Sequence, residues 1–144
     1  MLVIRQMQEG DREDILSMMK EFYSSNATFS NGSKEIFEAD INACLDDKAL
    51  LEGYVLNFAD KIIGYSMLAK SFSTEFGKIC FWIEDLYLKE ECRGKGFIQQ
   101  FIDYIVKKYP DAKFKLEVEQ ENLHAIHVYN KKGFKSLAYT VFMK

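Results

Sequence analysis

A short glycine loop, residues 93–96, constrains the fold of this chain more than any other feature of its sequence. The loop follows an apolar run that ends at Leu88 and precedes an amphipathic run over residues 97–109. Glycine lets the backbone approach a bulky anion closely, and the free N–H groups of a first helical turn point at that anion. Strand, glycine loop and helix in this order predict a phosphate-binding loop, to which Arg93 and Lys95 add positive charge. Simple turn chemistry is the alternative explanation for the two glycines.

The apolar pattern around this loop predicts a mixed α+β chain. Strands are predicted over residues 2–7, 50–58, 61–72, 78–88, 114–119 and 134–142. Helices are predicted over residues 11–24, 36–45, 97–109 and 123–132. Asp11 and Asn122 stand where helix N-caps are expected, and Gly133 suits the left-handed position after the last helix. The strands before the loop form hairpins, and the strand after it returns through a helix, so the sheet should be partly parallel.

Composition excludes several classes of partner. The 144 residues, 48% of them hydrophobic, suit one compact domain over residues 1–144. A net charge of -3 argues against nucleic acid or an anionic membrane, since both call for a broad basic surface. Three cysteines without metal-type spacing, and no apolar run of about 18–20 residues, favour a soluble cytoplasmic protein. His124 and His127 lack a third ligand, so no metal is predicted.

A second motif follows the predicted strand over residues 114–119. It combines Asn122, Ala125, Tyr129, Gly133 and Phe134 at fixed spacing. Together with the loop at residues 93–98, this motif resembles the GNAT superfamily of N-acetyltransferases, and the resemblance covers essentially the whole chain. It implies a central, twisted, mostly antiparallel sheet with one splayed parallel strand pair, flanked by about four helices.

The resemblance also implies acetyl-coenzyme A (acetyl-CoA) as cosubstrate and no metal. In such proteins the loop amides hold the pyrophosphate, and the pantetheine arm lies in the gap between the two splayed strands. The residues implied in cofactor binding are Leu86, Tyr87, Leu88, Arg93, Gly94, Lys95, Gly96, Phe97, Ile98, Asn122 and Tyr129. Ile98 stands where the family usually has a small residue.

Two side chains are candidates for the acid and base of amine acetylation. Tyr129 is implied as the general acid, because a phenol with a pKa of about 10 is protonated at neutral pH and can donate to the leaving sulfur. The residues around 82–94 are locally similar to the diamine and polyamine acetyltransferase branch, in which Glu84 would draw the amine proton through water. The alternative to a catalytic role for Tyr129 is a role in packing. The alternative for Glu84 and Asp85 is that they form structural bonds.

Three functions are compatible with these residues. The first is acetyl transfer from acetyl-CoA to a primary amine of a small molecule by direct attack. The second is acetylation of a protein lysine or N-terminus, and the third is a non-catalytic acyl-CoA sensor. Acids that could provide a pocket for a cationic substrate are Glu21, Glu38, Asp40, Glu75, Glu84 and Asp85. The family resemblance also suggests a homodimer.

Overall fold

A five-stranded sheet in the order β1-β2-β3-β4-β5 forms the centre of the protein, which a computed structural model describes over residues 1–46 and 49–144. The strands are β1 Val3–Gln6, β2 Leu51–Phe58, β3 Lys61–Ser73, β4 Lys78–Leu88 and β5 Lys113–Leu116. The helices are α1 Arg12–Tyr23, α2 Lys34–Leu45, α3 Phe97–Lys108 and α4 Leu123–Lys131. Neighbouring strands are antiparallel except for β4 and β5, which are parallel. The predicted mixed α+β fold is therefore confirmed.

Each face of the sheet is covered by helices whose apolar residues recur at helical spacing. One face packs against α1 and α2, and its buried residues are Met7, Ile15, Met18, Met19, Phe37, Ile41, Cys44, Val55, Tyr65, Met67 and Tyr87. The opposite face packs against α3, and its buried residues are Tyr54, Leu56, Ile63, Leu68, Phe81, Ile83, Leu88, Phe97, Phe101 and Ile105. The two faces thus have separate apolar cores, with the strands between them.

Local signals in the sequence account for the ends of several elements. Ala59 and Asp60 both have left-handed backbone conformations, as the tight turn of the predicted β2–β3 hairpin requires. Asn122 caps α4 by accepting a hydrogen bond from the backbone N–H of Ala125 at 3.2 Å. Gly133, with φ 89°, follows the last turn of the same helix. These predicted turns and caps are confirmed.

The prediction of a last strand over residues 134–142 is wrong. Among the residues that the structure describes, none pairs in a ladder with this segment, and β5 is also shorter than predicted, covering Lys113–Leu116. An alternating apolar pattern reports how well a segment would suit a strand, but a strand also needs a neighbour with free backbone groups. Residues 134–142 therefore lie outside the sheet.

At Gly64 the strands β3 and β4 lie too close together for a larger residue. A Cβ there would lie 2.5 Å from the backbone oxygen of Tyr87 and 3.1 Å from a Leu88 methyl group. We expect Gly64→Ala to lower the free energy of unfolding by about 1–3 kcal/mol in urea titrations, because β4 must move away from β3. Gly10→Ala is the matched control, since no atom lies within 4 Å of a Cβ there. Equal stability of the two variants would contradict this packing.

Candidate active site

The glycine loop joins the end of β4 to α3, as predicted. Gly94 and Gly96 have φ angles of 77° and 78°, and a Cβ built on either would meet no atom within 4 Å. Gly96 is the N-cap of α3, and no side chain of the described residues bonds to the free amides of that helix end. Open space, left-handed glycines and free amides at a helix N-terminus fit a phosphate group well.

Arg93 is held at the start of this loop by the strand before it. Its Nε donates a hydrogen bond to the backbone oxygen of Leu88 at 2.9 Å, and its guanidinium carbon lies 5.7 Å from the centre of the Tyr87 ring. Both contacts fix the side chain along the end of β4. The remaining guanidinium nitrogens stay beside the loop as positive charge.

The two parallel strands separate just where β4 approaches this loop. Their pairing runs from Cys80 and Lys113 to Ile83 and Leu116, and through residues 84–88 the strand β4 has β3 as its only neighbour among the described strands. Over those five residues, no described strand lies on the β5 side of β4. Leu86 is half-buried, whereas Tyr87 and Leu88 are buried. Apart from the Leu88 oxygen, which accepts the Arg93 hydrogen bond, no described strand engages the backbone groups on that side, and this suits an extended, amide-containing ligand.

A β-bulge at Glu84 lies at the point of separation. Met67 of β3 pairs with Asp85, whereas the next residue, Leu68, pairs with Ile83, so that Glu84 has no partner. The extra residue reverses the alternation of β4. Ile83 belongs to the core below α3, and Asp85 faces α1 and α2 instead. Without the bulge, Asp85 would have shared the face of Ile83.

Asp85 is held by two tyrosines. Its carboxylate accepts hydrogen bonds from the hydroxyls of Tyr23 on α1, at 2.6 Å, and Tyr65 on β3, at 2.8 Å. The side chain is only 3% exposed. Burial raises the pKa of Asp85, and the two tyrosine hydrogen bonds oppose that shift. With its lone pairs engaged and little access to solvent, Asp85 is suited to hold the site together.

Two further carboxylates, those of Asp40 and Glu84, interact electrostatically with Asp85. Burial, together with the charges of Asp85 and Glu84, raises the pKa of Asp40 on α2 to about 6. Partial burial, Asp85 and Glu117 raise the pKa of Glu84 above its ordinary value, although the Glu84 side chain stays accessible to solvent. Burial and the charges of Asp40 and Asp85 raise the pKa of the Cys44 thiol to about 12. Negative charge is thus concentrated between α2 and the bulge.

The other acids predicted for a cationic pocket lie elsewhere or have partners of their own. Glu38 accepts a hydrogen bond from Arg12 at 2.7 Å. Glu75 lies in the turn between β3 and β4, at the opposite end of β4 from the glycine loop. Glu21 lies near Tyr87, whose pKa is raised by burial and then by Glu21. The predicted acidic group is therefore reduced to Asp40, Glu84 and Asp85.

Tyr129 lies on α4, after the strand that separates from β4. Its ring packs edge-on against Phe134, with the ring centres 5.8 Å apart. Burial raises the pKa of the Tyr129 hydroxyl, so the phenol is protonated at neutral pH. Within residues 1–46 and 49–144, no hydrogen bond or ring contact joins Tyr129 to Glu84 or to the glycine loop.

The raised pKa of Asp40 has a consequence for stability. Asp40 ionises near pH 6 in the folded protein and near its ordinary 3.8 when unfolded, so its charge destabilises the fold as the pH rises through this window. We expect Asp40→Asn to unfold at a higher temperature than the wild type above pH 6. The difference should shrink as the pH falls from about 6 to 3.8 and be lost below that range. Thermal unfolding at both ends of this window tests it, and a pH-independent difference would contradict it.

The described residues contain neither a membrane-spanning helix nor a candidate metal cluster. The described helices are all too short or too polar to cross a membrane. In the same residues, no group of three or more histidine, cysteine, aspartate or glutamate side chains has the geometry to hold a metal ion.

Comparison with known proteins places this arrangement in context. The family model described as "Acetyltransferase (GNAT) family" matches residues 13–134. No curated protein matches the sequence. A possible acetyltransferase from Clostridium difficile 630 is 20% identical with a TM-score of 0.85, over 99% of this chain and 96% of that one.

Two other solved structures have the same fold and carry informative ligands. A predicted acetyltransferase from Clostridium acetobutylicum, solved with acetyl-CoA, is 19% identical with a TM-score of 0.76, over 100% of this chain and 96% of that one. AAC(6')-Iy, in complex with the bisubstrate analog CoA-S-monomethyl-acetylneamine, is 16% identical with a TM-score of 0.80, over 100% and 97% of the two chains. At these sequence identities the likeness shows a shared fold alone.

Proposed function

Because the chain belongs to the GNAT family of acetyltransferases, we propose that it transfers an acetyl group from acetyl-CoA to a primary amine of a small molecule. The observation that carries the proposal is the group of three carboxylates beside the bulge at Glu84, where β4 and β5 separate. A separated strand pair provides space for an acyl donor. Carboxylates beside that space suit an acceptor that arrives as an ammonium ion.

The loop and the exposed length of β4 fit acetyl-CoA. We assign the phosphates to the loop amides and to the positive charges of Arg93 and Lys95, with Gly94 and Gly96 giving the necessary space. Further residues assigned to the cofactor are Leu86, Tyr87, Leu88, Phe97, Ile98 and Asn122. The side chain of Ile98 packs against the core below α3, which leaves the loop accessible although the residue is large. Bound acetyl-CoA supplies a reactive thioester.

Glu84 is the proposed base. An alkylammonium must lose a proton before it can attack, which costs about 4–5 kcal/mol at neutral pH for a pKa near 10.4. Glu84 is accessible to solvent and its pKa is raised, so it can accept that proton directly or through water. Asp40 is proposed to attract the ammonium ion before it is deprotonated, and Asp85 to hold the bulge in place.

Tyr129 is the proposed acid. Its pKa is raised by burial, so the hydroxyl is protonated at neutral pH and can donate a hydrogen bond to the sulfur as the carbon–sulfur bond of the thioester breaks. A thiolate formed beside this hydroxyl would take the proton. The proton of the amine is thus assigned to a carboxylate, and the proton given to the sulfur is assigned to a neutral phenol.

The class of acceptor is argued from charge. Clustered carboxylates favour a small cationic molecule over a protein lysine or N-terminus, which needs an extended surface as well as one ammonium site. The fold neighbour solved with an acetylneamine conjugate supports an amine of this kind. The diamine and polyamine branch and a homodimer stay predictions of the resemblance, and the cytoplasmic location stays a prediction from the sequence composition.

A panel of amines tests the proposal. Thiol release from acetyl-CoA is measured with polyamines, aminoglycosides, amino acids and a lysine peptide, and calorimetry measures acetyl-CoA binding separately. We expect turnover with one class of small cationic amines. Turnover with the lysine peptide alone would favour the protein substrate. Binding of acetyl-CoA without any turnover would favour the sensor, and a failure to bind it would contradict the assigned loop.

A further inference from the structure

Tyr23, the last residue of α1, connects the buried Asp85 with the other carboxylates beside the bulge. Its hydroxyl donates a hydrogen bond to one carboxylate oxygen of Asp85 at 2.6 Å. Burial raises the pKa of this hydroxyl, and the negative charges of Asp85, Asp40 and Glu84 raise it further. All three carboxylates of the acidic group therefore act on the Tyr23 oxygen.

Tyr23 and Tyr65 bond to the same carboxylate but differ in their access to solvent. Tyr65 donates to the second oxygen of Asp85 at 2.8 Å and is 0% exposed, whereas Tyr23 is only half-buried. Asp85 is itself buried between the two rings, with both of its oxygens engaged. Tyr23 is therefore the partner of Asp85 that an acceptor can reach.

The Tyr23 ring is held in place by two aromatic neighbours. The ring centres of Phe22 and Phe37 each lie 5.2 Å from that of Tyr23. Because the phenol proton is donated to Asp85, the Tyr23 oxygen has lone pairs left but no proton for a further partner. A fixed oxygen in this state accepts hydrogen bonds from N–H groups and offers none in return.

We propose that the Tyr23 oxygen accepts a hydrogen bond from the amine of the acceptor and orients that amine for attack, an inference that rests on the proposed acetyl transfer. A primary ammonium ion has three N–H groups. After one proton has passed to Glu84, the neutral amine keeps two N–H groups and gains a lone pair. With one N–H held by Tyr23, the lone pair forms the bond to the thioester carbon while the carbon–sulfur bond breaks and Tyr129 protonates the sulfur.

The proposal predicts that the site distinguishes cations by their N–H groups as well as by their charge. A site built to hydrogen-bond a substrate rejects an analogue that lacks the bonding group. Butylammonium has three N–H groups, whereas butyltrimethylammonium has the same charge and none. Binding of these two ions separates a hydrogen bond to Tyr23 from simple attraction by the carboxylates.

NMR titration of the protein with each ion, in the absence of an acyl donor, tests the proposal. We expect the wild type to bind butylammonium at least about tenfold more tightly than butyltrimethylammonium, and Tyr23→Phe to lose this preference. Tyr65→Phe is the matched control, because it also removes one tyrosine hydrogen bond from Asp85 but at a position that an acceptor cannot reach. This variant should keep the preference.

Three results of the titration would overturn the proposal. The first is a wild type without the preference, and the second is a Tyr23→Phe variant that keeps it. The third is a Tyr65→Phe variant that loses it to the same extent, because the effect would then act through Asp85. Should Tyr23→Phe unfold because Asp85 loses a partner, Asp85→Asn with and without Tyr23→Phe gives the same comparison.

Thiol release from acetyl-CoA separates this proposal from the proposed function. With the amine that the wild type acetylates, we expect Tyr23→Phe to lower kcat/KM at least about tenfold, and Tyr65→Phe to lower it less. Turnover with equal kcat/KM in the wild type and Tyr23→Phe would overturn the role of Tyr23 alone. A preference for butylammonium that depends on Tyr23, without turnover of any amine, would support the contact and contradict acetyl transfer.

Discussion

Replacing Tyr129 by phenylalanine is expected to lower kcat by about 10²- to 10⁴-fold, the usual contribution of a general acid. The variant removes one hydroxyl and keeps the ring, which packs against Phe134. Binding of acetyl-CoA should therefore be nearly unchanged. Steady-state kinetics with the amine identified in the panel, together with calorimetric titration of acetyl-CoA, measure the two quantities separately.

Tyr139→Phe is the matched control for this experiment. Tyr139 is 71% exposed and lies outside the assigned site, so loss of its hydroxyl should leave kcat unchanged. An unchanged kcat in Tyr129→Phe would assign the phenol to packing. A loss of acetyl-CoA binding in that variant, without a fall in kcat, would assign it to cofactor contact instead.

Replacing Glu84 by glutamine is expected to lower kcat by about 10²-fold or more, since a general base contributes about 10²- to 10⁴-fold. The amide keeps the size of the side chain but cannot accept the amine proton. The raised pKa of Glu84 places its ionisation above the ordinary glutamate range, and the wild-type rate should rise with pH as Glu84 loses its proton. In the variant that part of the rise should disappear.

The pH profile separates Glu84 from its neighbours. Asp40 ionises near pH 6 and interacts with Glu84, so the wild-type profile belongs to the group of carboxylates rather than to one residue. Asp40→Asn should raise KM for the amine more than it lowers kcat. Glu119→Gln, at an exposed position after β5, is the control with the same chemical change. A Glu84→Gln variant with the wild-type profile would show that another group accepts the proton.

The glycine loop and the caps of α4 were predictable because their signals are local. A left-handed glycine, an N-cap side chain and a run of apolar residues at helical spacing each lie within a few positions of the element they define. The separation of β4 and β5 was expected from family resemblance. The structure confirms that fold, while the assignment of residues to acetyl-CoA and to proton transfer stays a prediction.

The environment of Asp85 was not predictable in the same way. Its two partners, Tyr23 and Tyr65, come from other elements, and no spacing in the sequence connects them to β4. The bulge at Glu84 depends on how β3 pairs with β4, which local patterns do not report. The predicted last strand failed for a related reason, because its sequence contains the alternation but not the identity of the strand beside it.

The unpaired residue in β4 acts as a phase shift along the strand. Everything after Glu84 is turned by half a period, so Asp85 and Tyr87 face α1 and α2 while Leu86 and Leu88 face α3. If Glu84 were instead paired with β3 in a regular ladder, the two sets would exchange faces and leucine would line the side that faces α1 and α2. The polarity of the side that faces α1 and α2 is therefore encoded in one residue that the β3–β4 ladder leaves out, and deleting Glu84 would close the bulge while keeping Asp85 on that side.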